Sequence, residues 1–158
     1  EIQHVESYLK IMKLRYRKKM DYTINVEKDL MNNVALKLSL QPIVENAIFH
    51  GLETKTGKGH VVIRIENTST LLMITVMDDG TGMDEEELEK LRTHLKEKQH
   101  VIGKNEYGTR RNSGIALLNV NERIKLHYGD EYGLQISSSR LVGTEVEFIL
   151  PVKSPVYK

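Results

Sequence analysis

Residues 72–84 read LMITVMDDGTGMD, an alternating apolar strand that runs straight into two aspartates and a glycine turn. Counted with period two, Leu72, Ile74, Val76 and then Asp78 fall on the same side of the chain, so a carboxylate arrives on the face that the strand should bury. A buried carboxylate without a partner is costly or loses its charge, so a basic side chain or a bound ligand must answer it. The following DDGTG turn carries no side chain at Gly80 or Gly82, which lets backbone come close to a ligand. Asp-Gly turns are common, so this stretch alone identifies nothing.

The flanking sequence supplies a frame. HVVIRIEN places Val61, Ile63 and Ile65 on one face and, with the strand at 72–78, forms a hairpin across a short TST connection. Upstream, DYTINVEKDL is a short strand with a polar turn. LSLQPIVENAIFHG then starts a helix, with Ser39 as N-cap, Pro42 in the first turn and Gly51 at its end. Downstream, MDEEELEKLRTHLKEK is a charged helix with acids in its first turn, and SGIALLNVNERIKLHYG is a helix with Leu117, Val120 and Ile124 as its buried stripe. GLQISSS and GTEVEFILP close the chain as two strands. Adjacent strands at 61–78 and 133–150 exclude regular βαβ alternation. The expected fold is α+β: a two-layer sandwich of a mixed sheet covered on one face by helices.

At 158 residues the chain suits one domain, burying roughly 70% of its unfolded surface. Twenty-three Lys and Arg against 22 Asp and Glu leave a net charge of +1, which argues against nucleic-acid binding driven by bulk charge. With no cysteine there is neither a disulfide framework nor a thiolate metal site, and His60, His94, His100 and His127 lack metal-ligand spacing. No apolar run approaches the roughly 20 residues that span a bilayer, so no membrane contact is expected of this chain.

The chain opens, without an initiator Met, on EIQHVESYLKIMKLRYRKKM, which reads as the end of a helix belonging to a longer protein. Ile2, Val5, Leu9, Met12 and Tyr16 form a stripe that fits either a helix lying on its own domain or the tail of a dimerising hairpin. Residues 1–20 are therefore set apart as a helical linker or dimerisation segment, and 21–158 as the domain.

Four further features bear on chemistry. A carboxylate fixed at Asp78 suits, as acceptor, an exocyclic amine such as adenine's. Thr144 falls in phase with Val146, Phe148 and Leu150 directly after Gly143, so a second strand delivers a polar group to the apolar side; a capped strand start is the plainer explanation. On the first helix of the domain, Leu40, Ile43, Val44 and Ala47 share one face and Glu45, Asn46, Phe49 and His50 the other, which by itself is the pattern of a solvated face. Ser113 and Gly114 stand at a helix start, where free amides can hold phosphates. Before them residues 99–112 form a long loop carrying His100, Lys104, Arg110 and Arg111 that would serve as a lid.

In this order the stretches LQPIVENAIFHG, DDGTGM, SGIALLNVNERI and GTEVEF resemble the asparagine box, the two glycine boxes and the terminal Gly-Thr of the ATPase domain shared by gyrase, Hsp90, MutL and histidine kinases. With the upstream HVESYLKI, the wording is similar to the LytS/YesM-like branch of bacterial sensor histidine kinases. The resemblance implies the Bergerat-type sandwich, ATP and Mg²⁺ as ligands, and transfer of the γ-phosphoryl to a histidine. It implies nucleotide contacts from Asn46, Asp78, Gly80, Gly82, Ser113, Gly114, Leu117 and Thr144, with Asp78 on the adenine amine and Thr144 acting through a water. Asn46 would ligate Mg²⁺. Glu45, Asn46 and His50 would be the catalytic group. The implied partners are a phosphoacceptor helical domain and a response regulator, the parent being a membrane-anchored homodimer with this domain in the cytoplasm.

The sequence departs from the pattern at three points. Ala116 replaces the second glycine of the later box, Phe49 stands where a lysine is frequent, and no PHFLFN-like phosphoacceptor motif is present. His4, in QHVES, belongs to the helix leading into the domain. Two rivals follow: a serine kinase of the anti-sigma-factor type, which shares the boxes, and a non-catalytic nucleotide sensor in which Ala116 and Phe49 mark lost transfer.

Overall fold

The structure, a computed structural model, describes residues 1–27, 40–68, 70–97 and 113–151. Among these residues five strands form one sheet: β1 (Met20–Val26), β2 (Gly59–Thr68), β3 (Leu71–Asp78), β4 (Leu134–Ser139) and β5 (Gly143–Pro151). Their spatial order is β1-β2-β3-β5-β4, with β1 parallel to β2 and every other neighbouring pair antiparallel. The helices are α1 (Ile2–Tyr16), α2 (Leu40–Asn46), α3 (Glu85–Lys96) and α4 (Ser113–Tyr128). The strand phases are those expected from period two. Val61, Ile63 and Ile65, then Leu72, Ile74 and Val76, then Val146, Phe148 and Leu150 are all buried, against Ile43, Val44, Ile48, Leu117, Val120 and Ile124 of the helices. The sandwich is therefore the α+β arrangement that the sequence order suggests.

Two joints tie the helical layer to β4, the edge strand. Asn121 of α4 is 1% exposed; its amide donates to the carbonyl of Leu95 at 3.0 Å and its oxygen accepts from the backbone N–H of Leu134 at 2.9 Å. Arg92 of α3 donates through Nε and Nη2 to the carbonyl of Ile136. Backbone groups on the outer edge of β4 are thus occupied, which blunts the edge against pairing with another chain. The start of α3 is fixed by a capping box between Asp84 and Glu87.

The opening helix lies on its own domain. Val5 and Leu9 are fully buried, with Ile2, Met12 and Tyr16 packed beside them. Glu1 Oε1 accepts from the N–H of Leu40 at 2.7 Å, and the Tyr16 hydroxyl donates to Glu53 at 2.6 Å. His4 is exposed on the helix surface.

Two expectations about the α2 region change, while a third, the Ser39 cap, falls outside the described residues. The helix does not stop at Gly51 but continues past Asn46 as a π turn, Ala47–Leu52, closed by a bond from Glu53 N–H to the carbonyl of Ile48 at 3.0 Å. Asn46 is not on a solvated face: it is 9% exposed, on a helix that packs against both α1 and α4. π turns concentrate at functional sites.

Replacing Asn121 by alanine is expected to cost about 2 kcal/mol, since the Leu134 N–H loses its partner in the interior. Urea unfolding checks this, and a loss well under half that size would contradict the joint.

Candidate functional site

Asp78 ends β3 on the apolar face, as period two demands, and is 9% exposed. Its Oδ1 accepts from the N–H of Gly80 at 2.9 Å, and the backbone N–H of Thr144 also bonds to the carboxylate. Among the described residues no cation lies against it; Lys55, which lowers its pKa only weakly, pairs instead with the neighbouring Asp79 at 3.1 Å. Burial is the largest influence and pushes the carboxyl up to about 6, against the two N–H bonds that favour the charge.

The space around this carboxylate is built from glycines. A Cβ on Gly51 would collide with the Asp78 carboxylate, and one on Gly80 with the backbone of Gly51. The π turn of α2 and the turn after β3 therefore touch through two residues without side chains. The N–H of Thr81 donates to the carbonyl of Gly51 at 3.1 Å, and the Thr81 hydroxyl donates to the carbonyl of His50 at 3.4 Å, joining the same two segments.

The β4–β5 hairpin closes the third side. Gly82 has φ +62° and no room for a Cβ beneath the carbonyl of Ser139, and Gly143 has φ +132° against the carbonyl of Asp78. Leu141 N–H donates to the Thr81 carbonyl at 2.7 Å, which holds Leu141 at φ 63°, a conformation rare for a side-chain-bearing residue. Thr144 pairs directly with Asp78 across β3 and β5, and with Ser138 across β4 and β5. Asp78, Thr144 and Ser138 thus form one polar row across three strands at the end of an apolar face.

Asn46 is placed about one turn before Gly51 on the continuous helix. Its Oδ1 is buried and has no hydrogen-bond partner among the described residues. An orphaned amide oxygen in a domain interior is what a cation or a donor on a ligand would satisfy. Glu45, beside it, accepts from Gln41 Nε2 at 2.9 Å. It also lies near the buried Tyr8 hydroxyl, which burial first and the Glu45 charge second push up to about 12.

The structure therefore gathers Asp78, Gly80, Gly82 and Thr144 into one site, bordered by the helix that carries Asn46 and His50. Other predicted residues stand apart from that cluster. Leu117 is buried in the core, and a Cβ on Gly114 would meet only Leu91, at 3.9 Å, so the domain's own packing does not require glycine there. The lid segment 99–112 and the Ser113 side chain lie outside what is described. Among the described residues there is no cluster of three His, Asp or Glu able to hold a metal by themselves. Sequence reasoning missed Gly51 and Ser138. Ser138 shares its phase with Leu134 and Ile136, the same signal that singled out Asp78 and Thr144.

A carboxylate, a hydroxyl and glycine-lined backbone at one end of a mixed α+β sandwich, next to a helix whose amide oxygen has no partner among the described residues, define a nucleotide-binding domain class. The family described as histidine kinase-, DNA gyrase B- and HSP90-like ATPase matches residues 31–154, and the chain belongs to it. It is 32% identical over 156 residues to the sensor protein LytS of Oceanobacillus iheyensis, covering 98% of this chain and 25% of that protein. It is 31% identical to the sensor histidine kinase YesM of Bacillus subtilis, covering 99% and 24%, and 32% identical to the sensor histidine kinase YpdA of Escherichia coli, covering 96% and 24%. The chain thus spans about a quarter of the length of these relatives. The catalytic domain of histidine kinase ThkA superposes with TM-score 0.64 at 15% identity, covering 97% of this chain and 95% of that one. The mycobacterial sensor histidine kinase MprB gives TM-score 0.57 at 15% identity, covering 95% of each chain. Fold, family and relatives agree on the ATP-binding catalytic domain of sensor histidine kinases.

The raised pKa of Asp78 has a defined consequence for stability. Between its unfolded value near 3.8 and its folded value near 6 the folded state holds the extra proton, so stability from this group falls as pH rises through that window. The charged form costs roughly 3 kcal/mol above it. Asp78→Asn is accordingly expected to melt higher than the wild type at pH 7.5, with the gap closing as the pH falls from 6 to 4. Thermal scans across that range check the sign; a variant less stable at every pH would contradict it.

Proposed function

We propose that this site binds ATP with Mg²⁺ and that, within a longer sensor kinase, it transfers the γ-phosphoryl to a histidine on another segment. The observation that supports the reading most is the desolvated Asp78 carboxylate, with no cation against it among the described residues, beside the Gly51–Gly80 contact. Asp78 would accept the exocyclic amine of adenine, with Thr144 assisting through a water, while Gly80 and Gly82 keep the pocket open to a flat base. Asn46 would offer its unpaired oxygen to Mg²⁺, and its burial with no internal partner fits that donor role. The metal would supply neutralisation of phosphate charge. His50, Glu45 and the first turn of α4, Ser113 and Gly114, would face the phosphates, and Leu117 would back the pocket from the core.

In the transfer itself the acceptor imidazole nitrogen forms a bond to phosphorus as the bond to the ADP oxygen breaks, and ADP leaves. Positioning and charge neutralisation carry most of such a step. Residues 1–20 would continue into the phosphoacceptor part of a homodimeric, membrane-anchored parent whose product passes to a response regulator. The domain would then stand in the cytoplasm.

Saturating ATP with Mg²⁺, at about 100 times its dissociation constant, is expected to stabilise the domain by roughly 2.7 kcal/mol, a shift of several degrees in melting temperature. GTP should give much less and Asp78→Asn should give none. A separately supplied acceptor domain should then become labelled from γ-labelled ATP in an acid-labile form. Acid-stable label would favour a serine kinase. Binding without label, restored by Ala116→Gly, would favour the nucleotide sensor.

A further inference from the structure

The polar row at the end of the sheet contains one residue that neither the family pattern nor the phosphate chemistry employs. Ser138 Oγ has three neighbours: it accepts from the N–H of Met83 at 2.9 Å, donates to the carbonyl of Gly143 at 2.9 Å, and lies 2.9 Å from Thr144 Oγ1. A serine hydroxyl has one hydrogen and two lone pairs. The Gly143 carbonyl can only accept, so it takes the hydrogen, and the Met83 N–H can only donate, so it takes one lone pair. The remaining lone pair faces Thr144, whose hydroxyl must therefore donate. With its single hydrogen committed to Ser138, Thr144 Oγ1 presents only lone pairs to the space it shares with Asp78.

We infer that Ser138 is a positioning residue for base selection, fixing the direction of the Thr144 hydroxyl so that the pocket offers acceptors alone. This rests on Asp78 and Thr144 forming the base pocket proposed above. The ionised Asp78 carboxylate is likewise acceptor-only, with the Gly80 and Thr144 N–H groups already bonded to it. Two adjacent acceptors match a purine whose 6-position carries an amine, directly or through a water that gives both its hydrogens to Asp78 and Thr144, and repel one whose 6-position carries an oxygen. A site built to receive a hydrogen bond rejects a partner that lacks the donor more strongly than an apolar wall rejects a misfit. Ser138 thereby acts on adenine selectivity without touching the base.

The test is titration calorimetry with ATP and with inosine triphosphate, both with Mg²⁺, on the wild type, Ser138→Ala, Thr144→Val and the double variant, with melting temperatures recorded alongside. ATP and inosine triphosphate carry the same sugar and phosphates, so their affinity ratio reports the base edge and not overall integrity. Ser138→Ala frees the Thr144 hydroxyl to turn its hydrogen toward a 6-oxo group, and the ATP preference should fall about fivefold, the size of one modest hydrogen bond. On the Thr144→Val background, Ser138→Ala should leave the ratio unchanged. Ser138→Cys, somewhat larger and a weaker donor and acceptor, should lie between serine and alanine. An unaltered ratio in Ser138→Ala and Ser138→Cys, or an equal drop on the Thr144→Val background, would overturn the role of Ser138. Asp78→Asn separates this from the pocket itself: retained ATP affinity there would overturn the pocket, whereas its loss beside an unaltered ratio in the Ser138 variants would remove Ser138 only.

Discussion

A carboxylate at the end of an apolar row has two stable fates: it meets a cation, or it waits for a ligand. Asp78 meets none among the described residues. What surrounds it is backbone N–H, glycine and a hydroxyl, which steady the carboxylate without neutralising it. Much of the fold follows from keeping that arrangement. Gly51 and Gly80 must lack side chains for the helix to reach the carboxylate, the π turn carries Gly51 to that point, and Gly82 and Gly143 take left-handed backbone so that the β4–β5 hairpin can close over the same turn. The charge is held against burial, and the domain is less stable for it at neutral pH. Strain and desolvation of this kind gather where function uses them.

The helical layer serves the site by covering it. α2 packs against α1 and α4, and Asn46 on it is buried with its oxygen lacking a hydrogen-bond partner among the described residues. α3 and α4 are in turn pinned to β4 through Arg92 and Asn121, so the strand carrying Ser138 is anchored from both the helices and β5. The rigid scaffold and the polar row are consequently one construction. A change in the Asn121 joint would be felt at β4, on the far side of the sheet from α1.

Period-two counting was enough to place Asp78 and Thr144 on the apolar face, because side-chain alternation in a strand leaves no freedom of phase. The same counting reaches Ser138 from Leu134 and Ile136. A run of three serines nonetheless has the look of a polar strand end, so the pattern alone does not single Ser138 out. Gly51 was not legible as part of the site: its neighbour Asp78 lies far away in the chain, and a glycine near a helix end suggests a stop. Asn46 misled in the opposite direction, since amphipathic reading assumes one covered face and α2 has more than one. The π turn has no periodic signature at all. It carries Gly51 against Asp78, a contact that only the assembled fold contains.

The central claim is that Asp78 is an ionisable acceptor whose desolvation a nucleotide answers. Carbon-13 NMR of the side-chain carboxyls, titrated from pH 3 to 8 with and without ATP, observes that group directly. The account predicts a carboxyl titrating near 6 in the free domain, absent from Asp78→Asn, whose midpoint falls when ATP is bound because the adenine amine favours the charged form. An Asp78 carboxyl that titrates in the ordinary carboxylate range and is indifferent to ATP would contradict it.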